Sequence, residues 1–247
     1  METSGRSIGS GMLGRNGTQP ARTWRSAATT GAAVRALPAV LAMTLGLAAM
    51  GWVVALREMP GMDMGPATRL GSIGSFAVLW VAMMAAMMLP GAVPALVRRA
   101  RADGGGVTGA TVFLGSYLGV WALVGLVVYA LYRPHGPFAA GVLTIAAGVY
   151  ELTPPKRQLR RRCGDGVGSG LGFGLACVGS SIGLMVMLLA LGVMSVLWMS
   201  VIAAVVLAQK LLPPNPRLDV SLALAIVVLG FLVVLAPSTV PGLTPSM

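Results

Sequence analysis

Seven apolar stretches, parted by short polar or basic segments, organise residues 37–236 of this chain. The first is LPAVLAMTLGLAAMGWVVAL, 37–56, and the others cover 72–89, 108–132, 138–153, 168–191, 195–212 and 218–236. Most run to about 18 residues or more with few or no charges, the pattern of a helix crossing lipid. Helices are expected because a bilayer offers no partners to free backbone groups. The apolar–polar alternation of a membrane barrel is absent. The pattern predicts an all-α fold, a polytopic transmembrane helical bundle of about seven spans.

Turn chemistry marks the boundaries. Pro213, Pro214 and Pro216 part the last two runs, and GVMS at 192–195 is the turn between the fifth and sixth. Residues 1–35, rich in Gly, Ser, Thr and Arg, read as a disordered basic cytoplasmic tail. Residues 36–237 then form the transmembrane domain and 238–247 a short extracytoplasmic tail. The first run follows too long a tail, and is itself too long, for a secretory h-region, and is read as an uncleaved anchor.

Composition agrees. Only 10% of residues are charged and 56% are hydrophobic, against about 25% charged in soluble domains. The net charge of +11 does not indicate nucleic acid, because the bases sit between apolar runs. Seven spans put fifteen of the eighteen Lys and Arg residues on one side, leaving Arg57, Arg69 and Arg133 on the other. The positive-inside rule makes the richer side cytoplasmic. Fusing the fifth and sixth runs would move Lys210 and Arg217 to the poorer side, so the charges favour seven spans in a multi-pass membrane protein with its basic tail in the cytoplasm. The two cysteines, Cys163 and Cys177, make neither a disulfide framework nor a zinc motif.

The segment WVAMMAAMMLPGAVP, 80–94, carries the distinctive chemistry. On a helix Met83 stacks over Met87 and Met84 over Met88. Thioethers fill gaps in apolar cores, and they also select Cu(I); the residues alone leave both roles open. Met84 lies roughly 18 Å into the second run from one side, and Cys177 roughly 13 Å into the fifth from the other, at about 1.5 Å per residue. In a core about 30 Å thick they share a depth, and would meet only if those two helices are neighbours. Pro90 and Pro94 are expected to end the second helix. Met59, Met62 and Met64, in MPGMDM, form a methionine-rich outer loop suited to capturing a soft ion. His135 reads as a solvated loop histidine. Glu151, at the inner end of the fourth run, is expected to reach the interface and pair with Lys156 or Lys210.

Small residues in the fifth run, Gly170/Gly174 and Gly179/Gly183, suit close helix packing. No nucleophile–base pair or phosphate loop is visible, so no enzymatic activity is expected.

The blocks LWVAMMAAMMLPGAVP, GSYLGVWA, AAGVYELTPPKRQLRRRC and GFGLACVGSSIGLMVMLLALGVMSVLWM together resemble the bacterial family of predicted metal-binding integral membrane proteins, a domain-of-unknown-function family, over about residues 75–232. That resemblance implies C-x-x-x-C after the T-P-x-K block, where this chain has Leu159 and Cys163. It also implies C-x-G-C-C in the next helix, where this chain has Cys177, Ser180 and Ser181. The methionine block is intact, while serine, a poor ligand for a soft metal, replaces two thiols. The chain therefore either binds metal through another set, including Met84, Met88 and Cys177, or keeps the fold without the site.

The leading expectation is a membrane protein that binds or moves a soft metal ion, Cu(I) in the first instance. Its candidate ligands are Met83, Met84, Met87, Met88 and Cys177, with Met59, Met62 and Met64 outside. The alternatives are a non-metal scaffold or assembly subunit, and a proton-coupled small-molecule transporter using Glu151. The expected partners are the lipid bilayer, the metal ion and an unspecified membrane or extracytoplasmic protein, with no nucleic acid.

Overall fold

Proline, glycine and small polar residues set the helix ends. The structure, a computed structural model, describes residues 20–58, 70–102, 107–165, 169–192, 195–213 and 215–240. These form α1 (Pro20–Glu58), α2 (Ile73–Ala102), α3 (Val107–Leu131), α4 (Pro137–Glu151), α5 (Pro154–Asp165), α6 (Gly170–Gly192), α7 (Val196–Leu211) and α8 (Pro216–Leu235), then a 3-10 turn at Pro237–Thr239, with no strand among the described residues. Pro137 and Pro216 occupy first-turn positions, where the missing N–H costs nothing. Gly192 closes α6 at φ 125°, which favours glycine. Ser195 caps α7 by accepting from the Trp198 N–H at 3.5 Å, so the fifth and sixth runs are separate helices.

Seven of the eight helices coincide with the seven apolar runs. Five contain stretches long and apolar enough to cross a membrane: Leu37–Glu58, Ile73–Ala100, Thr108–Leu131, Gly170–Gly192 and Pro216–Leu235. α4 and α7 are apolar but shorter, at 15 and 16 residues. Outward positions such as Leu126, Val127, Leu224, Val228 and Phe231 are exposed, a surface suited to lipid.

Three expectations change. α2 does not stop at its prolines but continues through Pro90 and Pro94 to Ala102. Each proline forfeits one backbone bond, yet Leu89, Ala92, Leu96 and Ala100 beyond or beside them are buried. Packing of this half holds it helical, as neighbours do for prolines in membrane helices. The basic segment after Thr153, read as a loop, is the helix α5. Residue 35, the expected end of the tail, lies inside α1.

Helix contacts run from α1 through α2 to the pair α3 and α7, then to α6, α4 and α8. α2 and α6 thus share α3 and α7 as neighbours and do not pack against each other along their length. At the far end, Gly141 and Gly230 let α4 and α8 approach closely, since a Cβ on Gly230 would stand 3.0 Å from the Gly141 carbonyl oxygen. Trp80 of α2 donates its indole N–H to the Trp121 carbonyl of α3 at 2.9 Å, fixing the α2–α3 register above the methionine block.

Candidate metal centre

Four helices each send one side chain to a common point. From α2, Met88 presents a sulfur in a fully buried position; Met83, Met84 and Met87 are equally enclosed, all at 1% exposure or less. From α6 comes Cys177, from α3 Tyr117, both at 0% exposure. α7 supplies Lys210, whose Nζ donates to Cys177 Sγ at 2.8 Å and to Met88 Sδ at 3.8 Å. The two sulfurs can therefore be no farther apart than those two distances combined. Tyr117 Oη lies 3.2 Å from Cys177 Sγ, and the Lys210 ammonium sits 6.0 Å from the centroid of the Tyr117 ring.

The expectation that α2 and α6 must be direct neighbours for their sulfurs to meet is thus corrected. Side chains connect the two helices, with Lys210 between the sulfurs. Of the four methionines in the block, Met88 is the one whose sulfur enters a described polar contact. Met59, Met62 and Met64 lie outside the described residues. His135 is half-buried rather than free in solvent: its ring nitrogens face the Arg133 carbonyl at 3.1 Å and the Ala190 carbonyl at 3.3 Å.

Local sequence explains the convergence. Gly91, one turn beyond Met88, leaves room for the Lys210 stem, because a Cβ there would run into Lys210 Cδ. Phe173 of α6 packs at a tilt against Tyr117, 5.4 Å between centroids, and borders the adjoining cavity. Beside the sulfurs lies a cavity of about 190 Å³, lined among others by Arg98, Arg161, Cys163, Ser180, Ser181 and Lys210. It links the buried site to the end of the bundle that carries α5.

α5 brings the two cysteine-motif regions together. Leu159 packs on Gly179, where a Cβ would touch its methyl group, and Cys163 Sγ lies 3.9 Å from Ser180 Oγ. The positions at which the resembling family carries thiols therefore adjoin one another, and in this chain Leu159 and Ser180 occupy two of them. Burial, and next the neighbouring Cys177, push the Cys163 thiol up to about 11, with Lys210 and Ser180 pulling it back. Cys163 accordingly remains a neutral thiol near pH 7.

A second polar cluster flanks the first. Glu151, 2% exposed, is in ionic contact with Lys156 and accepts from Gln209 Nε2 at 2.9 Å. Lys156 also donates to Gln209 Oε1 at 3.3 Å. Arg160 donates to Asp219 at 2.5 Å and to the Gln209 carbonyl at 2.8 Å, tying α5, α7 and α8. Pairing with Lys156 agrees with the sequence expectation; complete burial of Glu151 does not. Because Gln209 and Lys210 are adjacent, α7 turns one residue into the ion cluster and the next into the sulfur site.

Among the described residues no group of three or more His, Cys, Asp or Glu is placed to hold an ion. The donor set is instead thioether and thiol sulfur, which prefers a soft, low-coordinate cation. Sequence reasoning missed Lys210 and Tyr117 as site residues. The available signal was a lysine within an apolar run, where ionisable groups mark function by default; it had been counted as a loop base.

The family model described as PpoB2, copper chaperone, matches residues 77–233. That span runs from α2 into α8 and takes in Met88, Tyr117, Cys177 and Lys210. No curated protein and no solved structure matches the chain. The match covers well over half of the sequence and agrees with a pocket whose donors are sulfur: the chain belongs to the PpoB2 copper chaperone family.

Proposed function

We propose that this protein is a membrane-embedded copper chaperone that accepts Cu(I) on Met88 and Cys177 and passes it on by ligand exchange. The observation that carries the reading is the position of the Lys210 ammonium, a monovalent cation held between two sulfurs from different helices. A seat that accommodates one positive charge beside soft donors suits Cu(I). Met83, Met84 and Met87 extend the sulfur lining along α2, and Met59, Met62 and Met64, which lie outside the described residues, are assigned by sequence as the segment that captures the ion. Each thioether is a weak ligand alone, which permits release. The proposed work is binding and exchange, with no bond-making step on a substrate.

In this reading α4 and α7 complete seven crossings of a bacterial cytoplasmic membrane. At about 1.5 Å per residue each spans less than the roughly 30 Å core, and flanking bases and local thinning of the bilayer accommodate the mismatch. The basic residues of α5 put the cavity mouth on the cytoplasmic side. Support comes from the family, the apolar outer faces and the asymmetry of charge.

A scaffold reading draws on the complete burial of Met83, Met84 and Met87, which equally suits packing. One experiment separates the two. The full chain, purified in detergent and loaded with Cu(I) under reducing conditions, is expected to retain about one ion per chain, and the Met88→Leu/Cys177→Ala variant at least about fivefold less. A wild-type chain without copper, or a variant that holds as much, would leave the scaffold.

A further inference from the structure

The Lys210 side chain occupies the place where the cargo belongs. Its ammonium makes the contacts expected of a soft monovalent cation: Cys177 Sγ at 2.8 Å, Met88 Sδ at 3.8 Å and the face of Tyr117 at 6.0 Å. A cation within about 6 Å of an aromatic centroid is attracted to the ring. An ammonium and a Cu(I) ion cannot both use this seat, since they would be like charges at bonding distance in a pocket shielded from water.

Among the described residues the neighbouring carboxylates are already taken: Glu151 is committed to Lys156 and Gln209, and Asp219 to Arg160. Arg98, Arg160 and Arg161, which line the adjoining cavity, add further positive charge. One cation must leave as the other arrives.

The stem of Lys210 has somewhere to go. It runs past Gly91 and borders the cavity of about 190 Å³. Lysine carries its charge on a flexible four-carbon chain, so the ammonium can swing from the sulfurs into that cavity without moving α7.

We propose that Lys210 is a resident placeholder for the cargo: it fills the sulfur seat in the empty protein, yields it to Cu(I), and competes for it again at release. Cu(I) binds the Cys177 sulfur as thiolate, so the Sγ–H proton leaves through the cavity as the copper–sulfur bond forms, the ammonium moves off the sulfurs with its charge kept, and no oxidation state changes. This rests on the copper-binding reading above and adds that the site is tuned to be weak enough to hand its ion on. A lysine serving merely to hold Cys177 in position predicts the opposite sign on removal.

Two measurements on the full chain in detergent test it. In a competition titration with a chromogenic Cu(I) chelator, Lys210→Leu, which adds no ligand, is expected to bind Cu(I) at least about tenfold more tightly than wild type and release it correspondingly more slowly, with Lys210→Arg close to wild type. Equal or weaker binding by Lys210→Leu overturns the proposal. The second measurement needs no variant. Lys156 and Lys210 are the only lysines in the chain, so acylation by a small amine reagent, read by mass spectrometry, reports each separately. Loading with Cu(I) is expected to raise modification of Lys210 by about threefold or more, as the amine moves into the cavity, with Lys156 unchanged. No rise at Lys210 overturns the proposal. If Met88→Leu/Cys177→Ala binds copper as wild type does, the copper reading itself fails; if that variant loses copper while Lys210→Leu gains nothing, only the placeholder fails.

Discussion

Tyr117 of α3 and Cys177 of α6 meet through a 3.2 Å contact between hydroxyl and thiol, with both residues sealed from the surroundings. It is a polar tie between two helices that also meet through apolar groups such as Phe113 and Phe173. Tyr117→Phe removes the hydroxyl and keeps the ring. It is expected to cost about 1 kcal/mol, the usual net value of one such bond, read as a lower thermal midpoint in detergent. A variant as stable as wild type would mean that the contact contributes nothing to holding α3 on α6.

The buried pair Glu151 and Lys156 predicts a compensating double mutant. Glu151→Gln strips the ammonium of its countercharge, and stability should fall by about 3 kcal/mol or more. Adding Lys156→Met removes the stranded charge and should restore most of the loss, a coupling that a double-mutant cycle resolves. Copper retention by the double variant would also set aside the proton-coupled transporter, which needs the Glu151 carboxylate.

Gly91 gives a test of the site that leaves every candidate ligand in place. A methyl at Gly91 meets the Lys210 stem, whereas one at Gly115 finds nothing within 4 Å. Both substitutions favour helix by up to about 1 kcal/mol. Gly115→Ala is expected to be neutral for copper, and Gly91→Ala to raise Cu(I) affinity by about threefold or more, because it levers the ammonium off the sulfurs. Identical titration curves for the two variants would show that the stem repacks without moving its head.

Cys163 offers a pH-dependent readout. With its thiol pushed up to about 11 by burial, the reactive thiolate fraction is small at neutral pH and grows as pH rises. Alkylation of Cys163 by iodoacetamide should therefore accelerate about tenfold per pH unit between pH 7 and 10, since the thiolate is the nucleophile. A rate that levels off above about pH 9 would indicate a thiol in an ordinary, solvated setting.

Much of the architecture was legible beforehand because it depends on local chemistry. Each apolar run became a helix, and Pro213, Pro216, Gly192 and Ser195 set boundaries close to where turn rules put them. Pro90 and Pro94 misled, because a proline's local cost says nothing about how much packing stands behind the helix. α5 was missed because its bases read as loop; Leu159 and Cys163, four apart on one face, were the trace of its contact with α6. For the site, the sequence picked out Met83, Met84, Met87, Met88 and Cys177 by residue type, but hydropathy does not tell a lipid-facing position from a buried one, so their burial and the place of Lys210 came from the packing.

Hydropathy and charge along the chain determined that this is a bundle of apolar helices with a basic-rich side, since those properties report how each segment exchanges with water or lipid. Only the tertiary structure decided that Met88 and Cys177 share one ammonium. Lys210 lies 122 positions from Met88 and 33 from Cys177, and their meeting depends on how α2, α6 and α7 are rotated about their own axes. That rotation is set by small residues and ring contacts between helices, such as Gly91 against Lys210 and Phe173 against Tyr117, which no single segment encodes.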